Sequence, residues 1–229
     1  MKKTKRTDVI RAAFPHTIPV MAGYLVLSLA YGIMMESKGY SPLWATLVSF
    51  LAYGGSMQYA AVEKFTTAFD PVGSFILSLT INARYLFCSV GMLNKFSKTG
   101  KFRPFLFFSL SDESFAVAAT VEPPKGIPEG PFYFWVFFLN YLYWGVGTLF
   151  GGLIGTLIPF DTTGLDFALT AMYVAMLIDL LRDKKSAFCG LTGVFCSVIA
   201  LIVFGTQNLV IFSLVLILLV LIPARRLKI

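Results

Sequence analysis

Mostly apolar stretches, each long enough to cross a bilayer, follow one another from residue 17 to residue 223 with only short polar patches between them. At about 1.5 Å per helical residue, roughly twenty residues cover the ~30 Å of hydrocarbon. A backbone in that medium must satisfy its own hydrogen bonds, and for runs of this length that means helices. The pattern predicts an all-α fold, a polytopic transmembrane helix bundle, with candidate spans at 17–35, 42–65, 69–93, 105–121, 131–158, 161–181, 186–204 and 207–223. Residues 8–16 read as a short basic amphipathic entry helix whose continuity Pro15 and Pro19 interrupt. The first apolar run follows a basic segment as in a secretory signal, but further runs continue to the C-terminus, so it is expected to be a retained span.

Charged residues make up only 14% of the chain, against about 25% in a soluble domain, and they crowd into patches at the edges of the apolar runs. The net charge of +7 is therefore read as orienting helices rather than as a nucleic-acid surface. One integral membrane domain is expected over 1–229: a basic N-terminal segment 1–16, a bundle 17–223 and a basic tail 224–229. Lys2, Lys3, Lys5, Arg6 and Arg11 at one end and Arg225, Arg226 and Lys228 at the other place both termini in the cytoplasm, which requires an even number of crossings. Lys95, Lys98, Lys101 and Arg103 then conflict, because they follow the third run and simple counting puts them outside. Either the charge rule fails at that loop, or one segment in each of the first two groups of three is broken or re-entrant, and the cytoplasmic placement is preferred. Gly54-Gly55-Ser56-Met57-Gln58 interrupts 42–65, and Asp112-Glu113 lies in the middle of 105–121. A faint internal repeat relates 23–62 to 140–180.

Polar residues at helix depth are costly and face the bundle interior, so they are the candidate binding residues. Gln58 reads either as an interhelical hydrogen bond or as part of a site. Asn82 and Arg84 lie midway through 69–93, where Arg84 is placed either to pair with a buried carboxylate or to hold the carboxylate of a substrate. Asp112 and Glu113 point about 100° apart on a helix, so one can pair with Arg84 while the other faces elsewhere. Asn140, with Tyr141, Tyr143 and Trp144, forms a polar-aromatic face, and Asp166 reads equally as a helix cap and as a pathway acid. Gly147, Gly151 and Gly155 recur at spacing four, a close-packing ridge within the bundle or toward a second subunit. The cysteines Cys88, Cys189 and Cys196 form no CxxC pair and are read as small core residues, so no metal or disulfide is expected. No protease motif, no serine–histidine pairing and no phosphate-binding GxxxxGK[ST] loop is present, so neither an enzyme nor an ATP-driven pump is expected.

Five motifs in order, Gly54-Gly55-Ser56-Met57-Gln58, Asn82-Ala83-Arg84, Asp112-Glu113-Ser114-Phe115-Ala116, Gly147-Thr148 and Leu165-Asp166-Phe167-Ala168-Leu169-Thr170-Ala171-Met172, resemble the AzlC-type family over about residues 10–205. These are the large subunits of two-component branched-chain amino acid exporters. The chain departs from the family's usual Ala-Gly at Gly54-Gly55. The resemblance implies a bacterial plasma-membrane exporter of valine, leucine, isoleucine and related apolar amino acids. It also implies a small AzlD-type membrane subunit as partner, a proton or other coupling ion as energy source, and no cofactor. A passive channel or scaffold subunit is the competing class, separable by flux against a gradient. For a zwitterionic substrate, Arg84 with Asn82 and Gln58 is placed to take the carboxylate, Asp112 or Glu113 the ammonium, and Met57, Tyr59 and Phe115 to supply the apolar wall.

Overall fold

A computed structural model describes residues 5–66, 70–157, 184–205 and 209–226, with the single positions 167, 170, 174, 177, 178 and 181. Among the described residues there are helices and no strands. The chain divides into two compact units, Met1–Asp166 and Phe167–Ile229.

The first unit is organised by two long helices, α1 (Arg6–Ser37) and α7 (Glu129–Leu157). On α1 the buried residues Val9, Ala13, Thr17, Val20, Tyr24, Leu27 and Tyr31 step by three or four, so one face runs the length of the helix. That face lies on α7, and the two helices are parallel: His16 meets Phe132 edge-on at 5.9 Å, Thr17 shares a 3.0 Å hydrogen bond with Tyr143, and Ser28 faces Gly147. Gly147, Gly151 and Gly155 form the ridge, and it is turned inward. A Cβ on Gly151 would strike the Leu29 backbone, and one on Gly32 would lie 2.6 Å from the Gly152 nitrogen. The small residues let the two backbones touch. Pro15 and Pro19 do not interrupt α1, contrary to expectation, because packing along this face offsets their missing backbone bonds, worth about 3 kcal/mol each. Between the two prolines the Thr17 hydroxyl donates to the Phe14 carbonyl at 2.8 Å.

Two segments are each split into a pair of half-helices. The first pair is α2 (Pro42–Ala52) and α3 (Gly55–Thr66); the second is α5 (Arg103–Phe108), entered by a 3-10 turn at Gly100–Phe102, and α6 (Asp112–Thr120). Between the pairs runs α4 (Pro71–Ser97), long enough to span a bilayer. Both pairs are hairpins, because their outer ends return to the same place. The Tyr40 hydroxyl before α2 donates to the Phe65 carbonyl near the end of α3 at 2.7 Å. Lys95 at the end of α4, next to the start of α5, donates to the Ala118 carbonyl of α6 at 2.6 Å and pairs with Glu122 at 2.8 Å. That contact also holds the exposed Glu122 carboxyl below the usual carboxylate range. At about 1.5 Å per residue, α5 and α6 laid end to end reach only about 23 Å, short of the hydrocarbon.

The hairpins open toward opposite ends of the unit. The α5/α6 hairpin opens at the end holding the starts of α1 and α7, where Val9, Phe96, Leu106, Ala118, Phe132 and Phe137 form an aromatic-rich core. The α2/α3 hairpin opens at the other end, where Pro42 meets Gly152. Arg6 lies over the Trp135 ring at 4.7 Å, and Lys101 borders the same cavity as Arg6 and Trp135, so two of the basic patches occupy one end. In this geometry 42–65 and 105–121 each turn back, which matches the broken-segment alternative stated for Lys95–Arg103. The expected 23–62/140–180 repeat falls in large part on 158–180, most of which lies outside the described residues.

The starts of α2, α4 and α6 are each capped by a side chain. Ser41 accepts from Trp44 N at 3.3 Å ahead of Pro42, Asp70 from Gly73 N at 2.9 Å ahead of Pro71, and Ser111 from Ser114 N at 3.1 Å.

The second unit contains α8 (Lys184–Phe204) and α9 (Leu209–Arg226), which pack together with Phe204 and Phe212 stacked at 3.8 Å. Cys196 is buried there but Cys189 is exposed, so only one of this pair is a core residue.

Candidate functional site

The tips of the two hairpins meet inside the first unit. At the first, α2 ends on Tyr53 with φ +40, the one non-glycine residue among those described in the left-handed region. Holding a tyrosine there costs about 1–2 kcal/mol. Its side chain is buried. Tyr141 of α7 supports both turns: its hydroxyl donates to the Phe50 carbonyl of α2 at 2.6 Å, and its ring lies 5.0 Å from Tyr53 and 6.0 Å from Phe108 of α5. Gly55 opens α3 where a Cβ would sit 3.0 Å from the Trp144 ring, so the Gly-Gly tip leaves room for that indole.

Arg84, in the middle of α4, joins both tips. Its guanidinium pairs with Asp112 in the first turn of α6 at 2.7 Å and donates to the Ser56 hydroxyl in the first turn of α3. It also lies over the ring of Tyr85 at 5.1 Å. Helix N-termini carry unpaired N–H groups and a partial positive charge. A full cation therefore stands between two such ends, a combination that favours an anion. Asp112 supplies that anion here. The side chains of the pair remain 31% and 20% exposed, so it is not sealed off.

Behind the pair is a buried polar network. Gln58 Nε2 donates to Ser49 at 3.0 Å, Gln58 Oε1 accepts from Trp144 Nε1 at 2.7 Å, and Ser49 bonds Thr148 at 2.9 Å. Asn140 Nδ2 donates to Ser114 at 3.0 Å, while its buried Oδ1 has no partner among the described residues. The Tyr24 hydroxyl lies 2.8 Å from Glu113 and 2.6 Å from Ser111. A phenol has one proton, so a consistent chain runs from Ser114 N–H to Ser111, from the Ser111 hydroxyl to Tyr24, and from Tyr24 to the Glu113 carboxylate. The two adjacent acids thus have separate partners, Asp112 on Arg84 and Glu113 on Tyr24.

A cavity of about 220 Å³ lies between the tips. Tyr53 and Gly54 wall it from one hairpin, Phe108 and Leu110 from the other, and Asn82 and Tyr85 from α4. Asn82 also donates to Ser78 at 3.2 Å. Its volume is below the ~300–1,000 Å³ usual for drug-sized ligands and is on the scale of a single small metabolite.

Of the residues singled out from sequence, Arg84 and Asp112 meet directly, Asn82 lines the cavity, and Gln58, Glu113 and Asn140 belong to the network. Asp166 lies outside the described residues. Tyr53, Tyr85, Phe108, Leu110, Tyr24 and Ser111 were not singled out. For Ser111 a signal existed, since it is a Ser-x-x-Ser cap ahead of two acids. The wall expected from Met57, Tyr59 and Phe115 is supplied by other residues, because aromatic residues are frequent throughout this chain and spacing does not say which of them face the cavity.

Residues 19–158, which include both hairpins and Arg84, match the family model described as AzlC protein. The chain is 40% identical over 210 residues to the branched-chain amino acid transport protein AzlC of Bacillus subtilis, covering 92% of this chain and 83% of the relative. It is 33% identical to an uncharacterized membrane protein of Helicobacter pylori, covering 93% and 94% of the two chains. To the inner membrane protein YgaZ of Escherichia coli it is 25% identical, over 74% and 72%. No solved structure matches. With the family model spanning all of the hairpin architecture and a relative aligned along nearly the whole chain, the protein belongs to the AzlC family.

Proposed function

We propose that this protein is the large subunit of a secondary transporter that exports branched-chain, apolar amino acids from the bacterial cytoplasm, driven by an ion gradient and working with a small AzlD-type membrane subunit. The observation that carries the reading is Arg84, a cation held between the N-termini of two half-helices that enter from opposite ends, beside a cavity of amino-acid scale. Half-helix ends at mid-depth are a recurring way for transporters to hold a substrate carboxylate. The name of the Bacillus subtilis relative supplies the substrate class.

In this reading the substrate carboxylate takes the planar fork of Arg84 in place of Asp112. Asp112, released, receives the ammonium or a coupling proton, and the aromatic wall takes the aliphatic side chain. Asn82 contributes from the cavity wall, while Gln58, Asn140 and Glu113 fix the tips around it. Asp166 is a second acid for the pathway. The reading is a transport role and not an enzymatic one.

The topology we propose for the inner membrane has six crossings and two re-entrant hairpins. Crossings by α1, α4 and α7, followed by 161–181, 186–204 and 207–223, put both termini inside. The basic patches at 95–103 and 182–185 are then also cytoplasmic, so all four patches obey one rule. The stretch 17–223 acts in this scheme as one membrane domain.

The test is export of leucine and valine from cells loaded with the corresponding dipeptides. Cells carrying this chain and its small subunit should release the amino acids against a gradient, and an uncoupler should stop release. Release that continues down a gradient only, unaffected by the uncoupler, would identify a channel instead.

A further inference from the structure

We propose that the end of the first unit holding the start of α1 carries a binding site for an anionic phospholipid. A cavity of about 450 Å³ lies there between the first turn of α1, the 3-10 turn before α5 and the start of α7. Two cations border it, Arg6 from α1 and Lys101 from the turn. Its remaining wall is apolar, with Phe102, Pro131, Phe134 and Trp135 forming a continuous surface. Asp8 lies about 200° around α1 from Arg6, on another face, and neither it nor Glu129 borders the cavity.

The chemistry of the wall selects the occupant. A soluble anion would use the two cations and leave the aromatic wall in contact with water. A phospholipid uses both, with its phosphate between Arg6 and Lys101 and an acyl chain along Phe134 and Trp135. Arg6 already lies over the Trp135 ring at 4.7 Å and Lys101 is 5.5 Å from the Phe102 ring, so both charges sit at the junction of polar and apolar surface. Basic pockets between membrane helices bind anionic headgroups in this manner. The bound lipid would tie the root of the α5/α6 hairpin to α1 and α7, the elements against which its tip must be aligned.

Each cation near an anionic headgroup is worth about fivefold in affinity, so the pair should give roughly a twenty-five-fold preference for an anionic over a zwitterionic lipid. The readout is tryptophan quenching in the full chain, reconstituted in bilayers containing brominated phosphatidylglycerol or brominated phosphatidylcholine. The signal of Trp135 is isolated by subtracting that of Trp135→Phe, which leaves Trp44 and Trp144. Brominated phosphatidylglycerol should quench Trp135 selectively at low mole fraction. Arg6→Gln and Lys101→Gln should each weaken the preference about fivefold, and the charge-preserving Arg6→Lys with Lys101→Arg should retain it. Equal quenching by the two lipids, or quenching by neither, overturns the proposal. So does loss of the preference on adding inorganic phosphate, which would make this a site for a soluble anion.

Discussion

Replacing Arg84 by lysine should reduce leucine export about ten- to a hundredfold while leaving the protein in the membrane at normal amount. Lysine keeps the charge and can still face Asp112. It loses the planar fork that reaches Asp112 and Ser56 together and that accepts a carboxylate through two parallel hydrogen bonds. The magnitude follows from about 1.5–3 kcal/mol for hydrogen bonds to charged groups. Arg84→Ala should be worse in a second way, since it leaves Asp112 without its cation and lowers the amount of folded protein. The two roles separate in the double variant Arg84→Gln with Asp112→Asn, which has neither charge. If Arg84 only neutralises Asp112, that variant regains near-normal export. If Arg84 holds the substrate, the variant accumulates normally and does not export. Rates close to wild type in the double variant would remove Arg84 from the substrate site.

The largest effect on stability should come from Gly151→Leu. A Cβ at that position meets the Leu29 backbone, and no rotamer change of a flexible neighbour can relieve it. The helices α1 and α7 must part, and with them the contacts that cross the seam, such as the Thr17–Tyr143 hydrogen bond and the edge-on packing of Tyr24 on Trp144. Overpacking a core costs about 1–3 kcal/mol when side chains can adjust; against backbone the cost should reach or exceed the top of that range. Gly23→Leu is the matched control, because nothing lies within 4 Å of a Cβ placed there. Melting of the detergent-solubilised protein should show a marked loss for Gly151→Leu and little change for Gly23→Leu. Equal behaviour of the two would mean that the ridge does not set the α1–α7 distance.

Helical spans were legible because apolar run length alone dictates them, and the two interruptions were legible because glycines and paired acids are out of place in an apolar run. The conflict of Lys95, Lys98, Lys101 and Arg103 with simple counting made re-entrant segments one of two solutions. It did not reveal that the hairpins open in opposite directions, since that depends on contacts far apart in sequence, such as Tyr40 with Phe65 and Lys95 with Ala118. The ridge Gly147/Gly151/Gly155 was visible as a motif, but spacing cannot say which helix it faces. Pro15 and Pro19 misled because proline is judged by its local cost, whereas α1 is held by a face along its whole length. The Arg84–Asp112 pair was one of two stated alternatives, and its role as the link between both tips needed the folded geometry.

Two hairpins that enter from opposite faces and meet at Arg84 form the centre of this account, and accessibility from outside the cell tests them most directly. Single cysteines would be placed in a chain whose Cys88, Cys189 and Cys196 are serine, through Ser37→Cys, Asp70→Cys, Ser97→Cys and Lys125→Cys. These positions lie just outside the two ends of each hairpin. An impermeant thiol reagent added to intact cells should label the variants at Ser37 and Asp70 and leave those at Ser97 and Lys125 unlabelled until the cells are opened. Labelling at Ser37 and Ser97 with protection at Asp70 and Lys125 would mean that both segments cross the membrane, and would contradict the account.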